Sequence, residues 1–142
     1  MNNVNDILRI KGHDIWSISP GASVYDAIRL MADKKVGALI VIEGNQPVGI
    51  VSETDYMRKV ILKGRTSQNT SVKAIMTTRV LYVRPDQSIE ECMVLMTEKR
   101  TRHLPVMDKG KLIGLVSIGD VVKSIIDEQR FTIEQLESYI TG

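Results

Sequence analysis

The sequence predicts an α+β fold of two tandem, pseudo-symmetric β-α-β-β-α units packed through their sheets, with a further helix at the C-terminus. Three observations predict it. Residues 16–61 align on residues 81–126 at a constant offset of 65 with no gap. Twelve aligned pairs are identical, including Pro20/Pro85, Ser23/Ser88, Leu39/Leu104, Gly49/Gly114, Ser52/Ser117 and Asp55/Asp120; chance at ordinary amino-acid usage gives about three. Within each copy the hydrophobic period switches between strand and helix in the same order. A unit of about fifty residues is also marginal alone, so the two are expected to pack together across their sheets.

The elements follow in order. Each copy opens with a short extended stretch, IWSIS or VLYVR, closed by a proline turn. In SVYDAIRLMADKK, Val24, Ala27, Ile28 and Met31 recur at helical spacing, as do Ile89, Cys92, Met93 and Met96 in SIEECMVLMTEKR. Ser23 with Asp26, and Ser88 with Glu91, have the spacing of capping boxes. ALIVI and QPVGIVS, like HLPVM and KLIGLVS, read as hairpin strands. A second helix is expected from Glu53 in one copy and near Ile118 in the other.

KGRTSQNTS has linker composition, and each repeat has an amphipathic lead-in, Val4, Ile7 and Leu8 matching Val72, Ile75 and Met76 at an offset of 68. Thr132 with Gln135 suggests a capping box, and Phe131 with Leu136 a staple, opening a C-terminal helix outside the repeat. The expected boundaries are 4–63 for the first repeat with its lead-in, 64–71 for the linker, 72–126 for the second repeat with its lead-in, and 127–142 for the C-terminal helix.

Composition narrows the function. Hydrophobic residues make up 43% of the chain, enough for a core, and a net charge of +2 with 4% aromatic residues argues against nucleic acid as the partner. A single cysteine, Cys92, with His13 and His103 cannot supply a four-ligand structural zinc site, and it suits a reducing compartment. No apolar run approaches the roughly 20 residues that span a bilayer, and MNNVND lacks the basic start of a secretory signal. The expectation is a soluble cytoplasmic protein with no membrane partner.

GIVSETD and GLVSIGD, each after a hairpin, together with the helix pair and PDQSIEECMVLM, resemble the CBS-domain pair over nearly the whole chain. The Gly, apolar, apolar, Ser, any, any, Asp ending is specific because it occurs twice at one offset. The resemblance implies a regulatory module, usually a homodimer, that binds adenine nucleotides in clefts between its repeats. AMP, ADP, ATP, NAD and NADH all remain open as the regulatory ligand, and the regulated protein is unknown. By carry-over, Ser52, Thr54 and Asp55 would face Val80 and Leu81 in one cleft, while Ser117, Gly119 and Asp120 would face Ile15 and Trp16 in the other. Gly37 and Ala38 in the first copy are replaced by Arg102 and His103 in the second; with Arg100 these are candidates for a phosphate clamp, the planar Arg fork suiting phosphate.

Each candidate also has a plainer role. Ser, any, any, Asp is itself a capping pattern, and a helix N-terminus with free amides suits a phosphate as well. Arg100 at a helix end is favoured by the macrodipole. Trp16 can pack instead of stacking on a base, Met31, Met93 and Met96 can fill a core instead of lining a groove, and Cys92 reads as an inert buried thiol. Lys63, Arg65 and Lys73 read as solvated charge.

No Walker A or dinucleotide-fold glycine fingerprint is present, no activated nucleophile is visible, and neither Asp55 nor Asp120 has a second acidic partner at a repeated position. The expectation is no enzyme and no catalytic cofactor. The alternative is an interaction module that ignores nucleotides and acts through disc faces or the C-terminal helix.

Overall fold

A computed structural model describes residues 2–141. The elements are α1 (Val4–Lys11), β1 (Ser17–Ile18), α2 (Val24–Lys34), β2 (Ala38–Glu43), β3 (Gln46–Ser52), α3 (Glu53–Tyr56), a π-helical turn (Met57–Ile61), α4 (Val72–Ile75), α5 (Ile89–Lys99), β4 (His103–Asp108), β5 (Lys111–Ser117) and α6 (Ile118–Thr141). They form two compact units. One is Ile15–Val80, called here the first unit; the second unit combines residues 2–14 with 81–141.

The repeat boundaries in sequence and the compact units in space are therefore different divisions. In the second unit the amphipathic face of α1 buries Val4, Ile7 and Leu8 with Ile89, Cys92, Met96, Leu104 and Val116. The lead-in of the second repeat is used likewise by the first unit, where Val72 and Ile75 are buried with Val24, Met31, Leu39 and Val51. Hydrogen bonds fix both exchanges, from Val4 N to Gln87 O at 2.9 Å and between Ile50 and Thr77 in both directions at 3.0 and 2.8 Å.

The hairpins obey the repeat closely. β2 pairs with β3 and β4 with β5, both antiparallel, with a register shift at Val41/Ile42 and at Val106/Met107, the same place in each copy. Each turn has two residues at positive φ, Gly44 and Asn45 or Lys109 and Gly110, the backbone that a tight two-residue hairpin requires. Gly49 and Gly114 are needed for close approach. A Cβ at Gly49 would lie 2.8 Å from Thr77 O, and one at Gly114 2.6 Å from Leu8 Cδ2. The glycine that opens each repeated GIVS or GLVS run therefore admits the exchanged lead-in.

Several expectations are corrected. IWSIS shortens to a two-residue strand, parallel to β2, and VLYVR forms only a parallel bridge between Val83 and Val106. Ser23 and Ser88 cap their helices by accepting from Asp26 N and Glu91 N at 3.1 Å, but full reciprocal boxes form at Asn3/Asp6, Ser52/Asp55 and Ser117/Asp120. The expected start at Thr132 is absent because α6 runs unbroken for 24 residues. With no Gly or Pro between Gly119 and Thr141 nothing interrupts the helix, and Thr132 Oγ1 donates to Glu128 O at 3.1 Å from within it. Phe131 and Leu136 are both exposed. The linker is packed as well as polar: Thr70 is buried, donates from Oγ1 to Thr66 O at 2.7 Å, and accepts Val24 N, a free amide of the first turn of α2.

Candidate functional site

Each Ser, any, any, Asp segment lies where a strand runs directly into a helix. In the first unit, Ser52 ends β3 and caps α3. Its amide and hydroxyl donate to Asp55 Oδ2 at 2.9 and 3.1 Å, and Lys59 Nζ lies 3.2 Å from Asp55 Oδ1. Both carboxylate oxygens are thus engaged, and Asp55 is buried. Lys59 Nζ also donates to Ile75 O at 2.9 Å, tying the turn to the lead-in. Thr54 is exposed on the same turn.

In the second unit, Ser117 N donates to Asp120 Oδ2 at 2.8 Å, and Asp120 N donates to Ser117 Oγ at 3.2 Å. The cation comes from α1: Lys11 Nζ lies 2.7 Å from Asp120 Oδ2 and donates to Leu115 O at 2.9 Å. Both bonds fall on Oδ2, and among the described residues Oδ1 has no partner. Burial pushes the Asp120 carboxyl up, but hydrogen bonds from Lys11 and Ser117 and the Lys11 charge outweigh it, so the carboxyl sits below its ordinary value.

The neighbouring candidates differ between units. Glu53 N donates to Gly37 O at 3.1 Å and Ala38 stands opposite Ser52, which gathers Gly37, Ala38, Ser52, Thr54 and Asp55 at one sheet end. Ile118 N donates to Arg102 O at 2.9 Å and His103 stands opposite Ser117, which gathers Arg102, His103, Ser117, Gly119 and Asp120 in the same way. Burial, with the charges of Lys11 and Arg102, lowers the His103 pKa despite the opposing pull of Asp120. Arg100 occupies the left-handed C-cap of α5, with φ 52°, and is exposed.

Trp16 O accepts Ile40 N at 3.1 Å, while Lys34 Nζ lies 4.3 Å from the centre of the Trp16 ring, a cation–π contact. Ile15, Val80 and Leu81 are half-buried at the ends of the units, with Leu81 packed on the second core. Met31 and Met96 are core residues, Met93 packs against the core, and Cys92 is buried with its thiol pushed up to about 11 by burial and by the Glu91 charge. Lys63, Arg65 and Lys73 are exposed.

Lys11 and Lys59 are the site residues that sequence reasoning missed. Lys59 was visible as a helical neighbour four residues after Asp55, whereas Lys11 lies 109 residues from Asp120 and gave no local signal. Beside this turn an open depression of about 530 Å³ is lined by Arg102, Ile118, Gly119, Val122, Lys123 and Ile126. Among the described residues no cluster of His, Cys, Asp or Glu is arranged to hold a metal, and no helix is long and apolar enough to cross a membrane.

A duplicated β-α-β-β-α unit with a carboxylate-bearing turn at the same point of each copy defines a paired-repeat architecture. The chain belongs to the CBS-domain family, whose model matches residues 4–62 and 72–127. A solved CBS-domain protein from Burkholderia ambifaria MC40-6 is 55% identical, over 90% of this chain and 96% of that one, with a TM-score of 0.88. The CBS domain-containing protein CBSX3, mitochondrial, of Arabidopsis thaliana is 39% identical over 98% of this chain and 72% of its own length. A crystal structure of CBSX2 in complex with AMP is 30% identical, over 89% of this chain and 98% of that one, with a TM-score of 0.72.

Proposed function

We propose that this CBS pair senses an adenine nucleotide without catalysing a reaction, in the cytoplasm, as a homodimer whose packing or assembly changes when the ligand binds. The observation that carries the reading is the Asp120 turn: a carboxylate held by Ser117 and Lys11 through one oxygen, with the other left to accept ribose hydroxyls. The AMP complex of CBSX2 supports adenosine as the moiety addressed. Arg102 and His103, on the strand entry beside this turn, would meet the phosphates. Ser52, Thr54 and Asp55 would form the counterpart site, and the backbone of Ile15 and Trp16 for the Asp120 site, and of Val80 and Leu81 for the Asp55 site, would recognise the adenine. Coupling requires that the nucleotide prefer one arrangement of the protein over another.

The test is thermal unfolding of nucleotide-free protein with AMP, ADP, ATP, NAD and NADH, beside Asp55→Ala and Asp120→Ala. A ligand at a hundred times its dissociation constant adds about 2.7 kcal/mol. The expected result is a shift that Asp120→Ala removes. No shift with any of the five overturns nucleotide sensing in favour of the interaction module, and consumption of the nucleotide overturns the non-catalytic assignment.

A further inference from the structure

The C-terminal half of α6 stands apart from its own unit. Among the described residues after Asp127 only Glu128 is partly covered, and Ile133, Leu136 and Ile140 are 52%, 58% and 80% exposed. The family model ends at Asp127, so this segment is an addition to the repeat. A helix of about fifteen residues is marginal in water without an apolar partner. At about 100° per residue, Ile118, Val122, Ile126, Ile133, Leu136 and Ile140 fall within about 40° of one line along α6. They make one exposed apolar stripe along most of the helix, and its first half borders the open depression.

The charges of the helix are as telling. Glu134 and Glu137 lie in the C-terminal half, with no cation after Arg130, so they oppose the negative end of the helix macrodipole. The depression carries Arg102 and Lys123.

We infer that α6 is the self-association element of this protein: residues 133–140 of one copy lie antiparallel in the depression beside Ile118, Val122 and Ile126 of a second copy. The pairing superposes the exposed half-stripe on its complement and brings Glu137 of each copy to Lys123 of the other. It also sets each acidic end beside a helix N-terminus. A parallel pair would set residues 133–140 against each other, away from the depression and from Lys123. The inference rests on the homodimer reading and names the surface that makes it.

Sedimentation equilibrium on the full chain tests it. Wild type should be a dimer, and Ile133→Asp with Leu136→Asp a monomer that still unfolds cooperatively in a thermal melt. Lys123→Glu should weaken the dimer about ten-fold through loss of two symmetric surface pairs, with recovery in Lys123→Glu/Glu137→Lys. Under oxidation Arg130→Cys should cross-link two chains and Ile140→Cys, on the stripe but far from the centre of the antiparallel register, should not. A wild type that stays monomeric overturns the homodimer reading itself. A dimer that survives the double Asp substitution overturns the α6 surface alone, and cross-linking at Ile140→Cys overturns the antiparallel order.

Discussion

In the first unit, the lysine that meets the turn carboxylate comes from the segment immediately after it, Lys59 to Asp55; in the second unit Lys11 arrives from α1 to meet Asp120. The position equivalent to Lys59 is Ser124, whose hydroxyl accepts instead from Asn2 Nδ2 at 3.2 Å. Two copies of one motif thus hold a positive charge at the same turn by different routes. The difference shows that the electrostatic requirement belongs to the Ser, any, any, Asp turn, while the element that meets it is free to change. It also leaves the turns unequal, with two engaged oxygens on Asp55 and one on Asp120.

The largest test of the comparison is at the paired glycines. Gly49→Ala drives a Cβ into the Thr77 carbonyl, which the backbone bridge to Ile50 holds in place, so it should cost about 1–3 kcal/mol. Gly114→Ala meets Cδ2, Cδ1 and Cγ of Leu8, a fully buried side chain and not a hydrogen-bonded backbone carbonyl, and should cost less in the same thermal melts. Equal losses would show that α1 is as rigidly seated as the lead-in of the first unit.

Next is the imported cation. Lys11→Met should cost up to about 1 kcal/mol at neutral pH, since the pair is part-exposed. It should also reduce acid sensitivity. The Asp120 carboxyl is held below its ordinary value when folded, so its stabilisation is present above the unfolded value near 3.8 and is lost as pH falls through the folded value. A denaturant series from pH 5 to pH 2 should therefore show a shallower decline for Lys11→Met than for wild type.

A smaller effect separates His103 from its counterpart Ala38. Burial lowers the His103 pKa, so folding favours the neutral ring, and the stability present above about 6.5 declines as pH falls through the folded value. His103→Gln should flatten the melting temperature between about pH 7 and pH 5. The smallest effect is at Cys92, where the counterpart is Ala27: with its thiol buried and pushed up to about 11, native protein should resist a thiol reagent until it unfolds.

Much of the fold was legible because it depends on local pattern. The period-2 runs at ALIVI and HLPVM, the helical spacing of Val24, Ala27 and Met31, and the 65-residue offset each follow from residues close in sequence or repeated in step. The pairing of Ser52 with Asp55 was legible for the same reason. The continuation of α6 was missed because Thr132 and Gln135 have a capping spacing wherever they sit, and only the absence of a break at Phe131 tells the two cases apart.

The sequence by itself thus determined the two copies, their elements and the position of the two carboxylates. Tertiary structure alone decided which lead-in each core takes, why Gly49 and Gly114 must lack a side chain, and that Lys11 reaches Asp120. Local order follows from periodicity and hydrogen bonding within a few residues, whereas burial of an amphipathic face such as Val4, Ile7 and Leu8 rewards any apolar surface of matching shape. The surface α1 selects belongs to a segment more than seventy residues away, and no pattern within the helix encodes that choice.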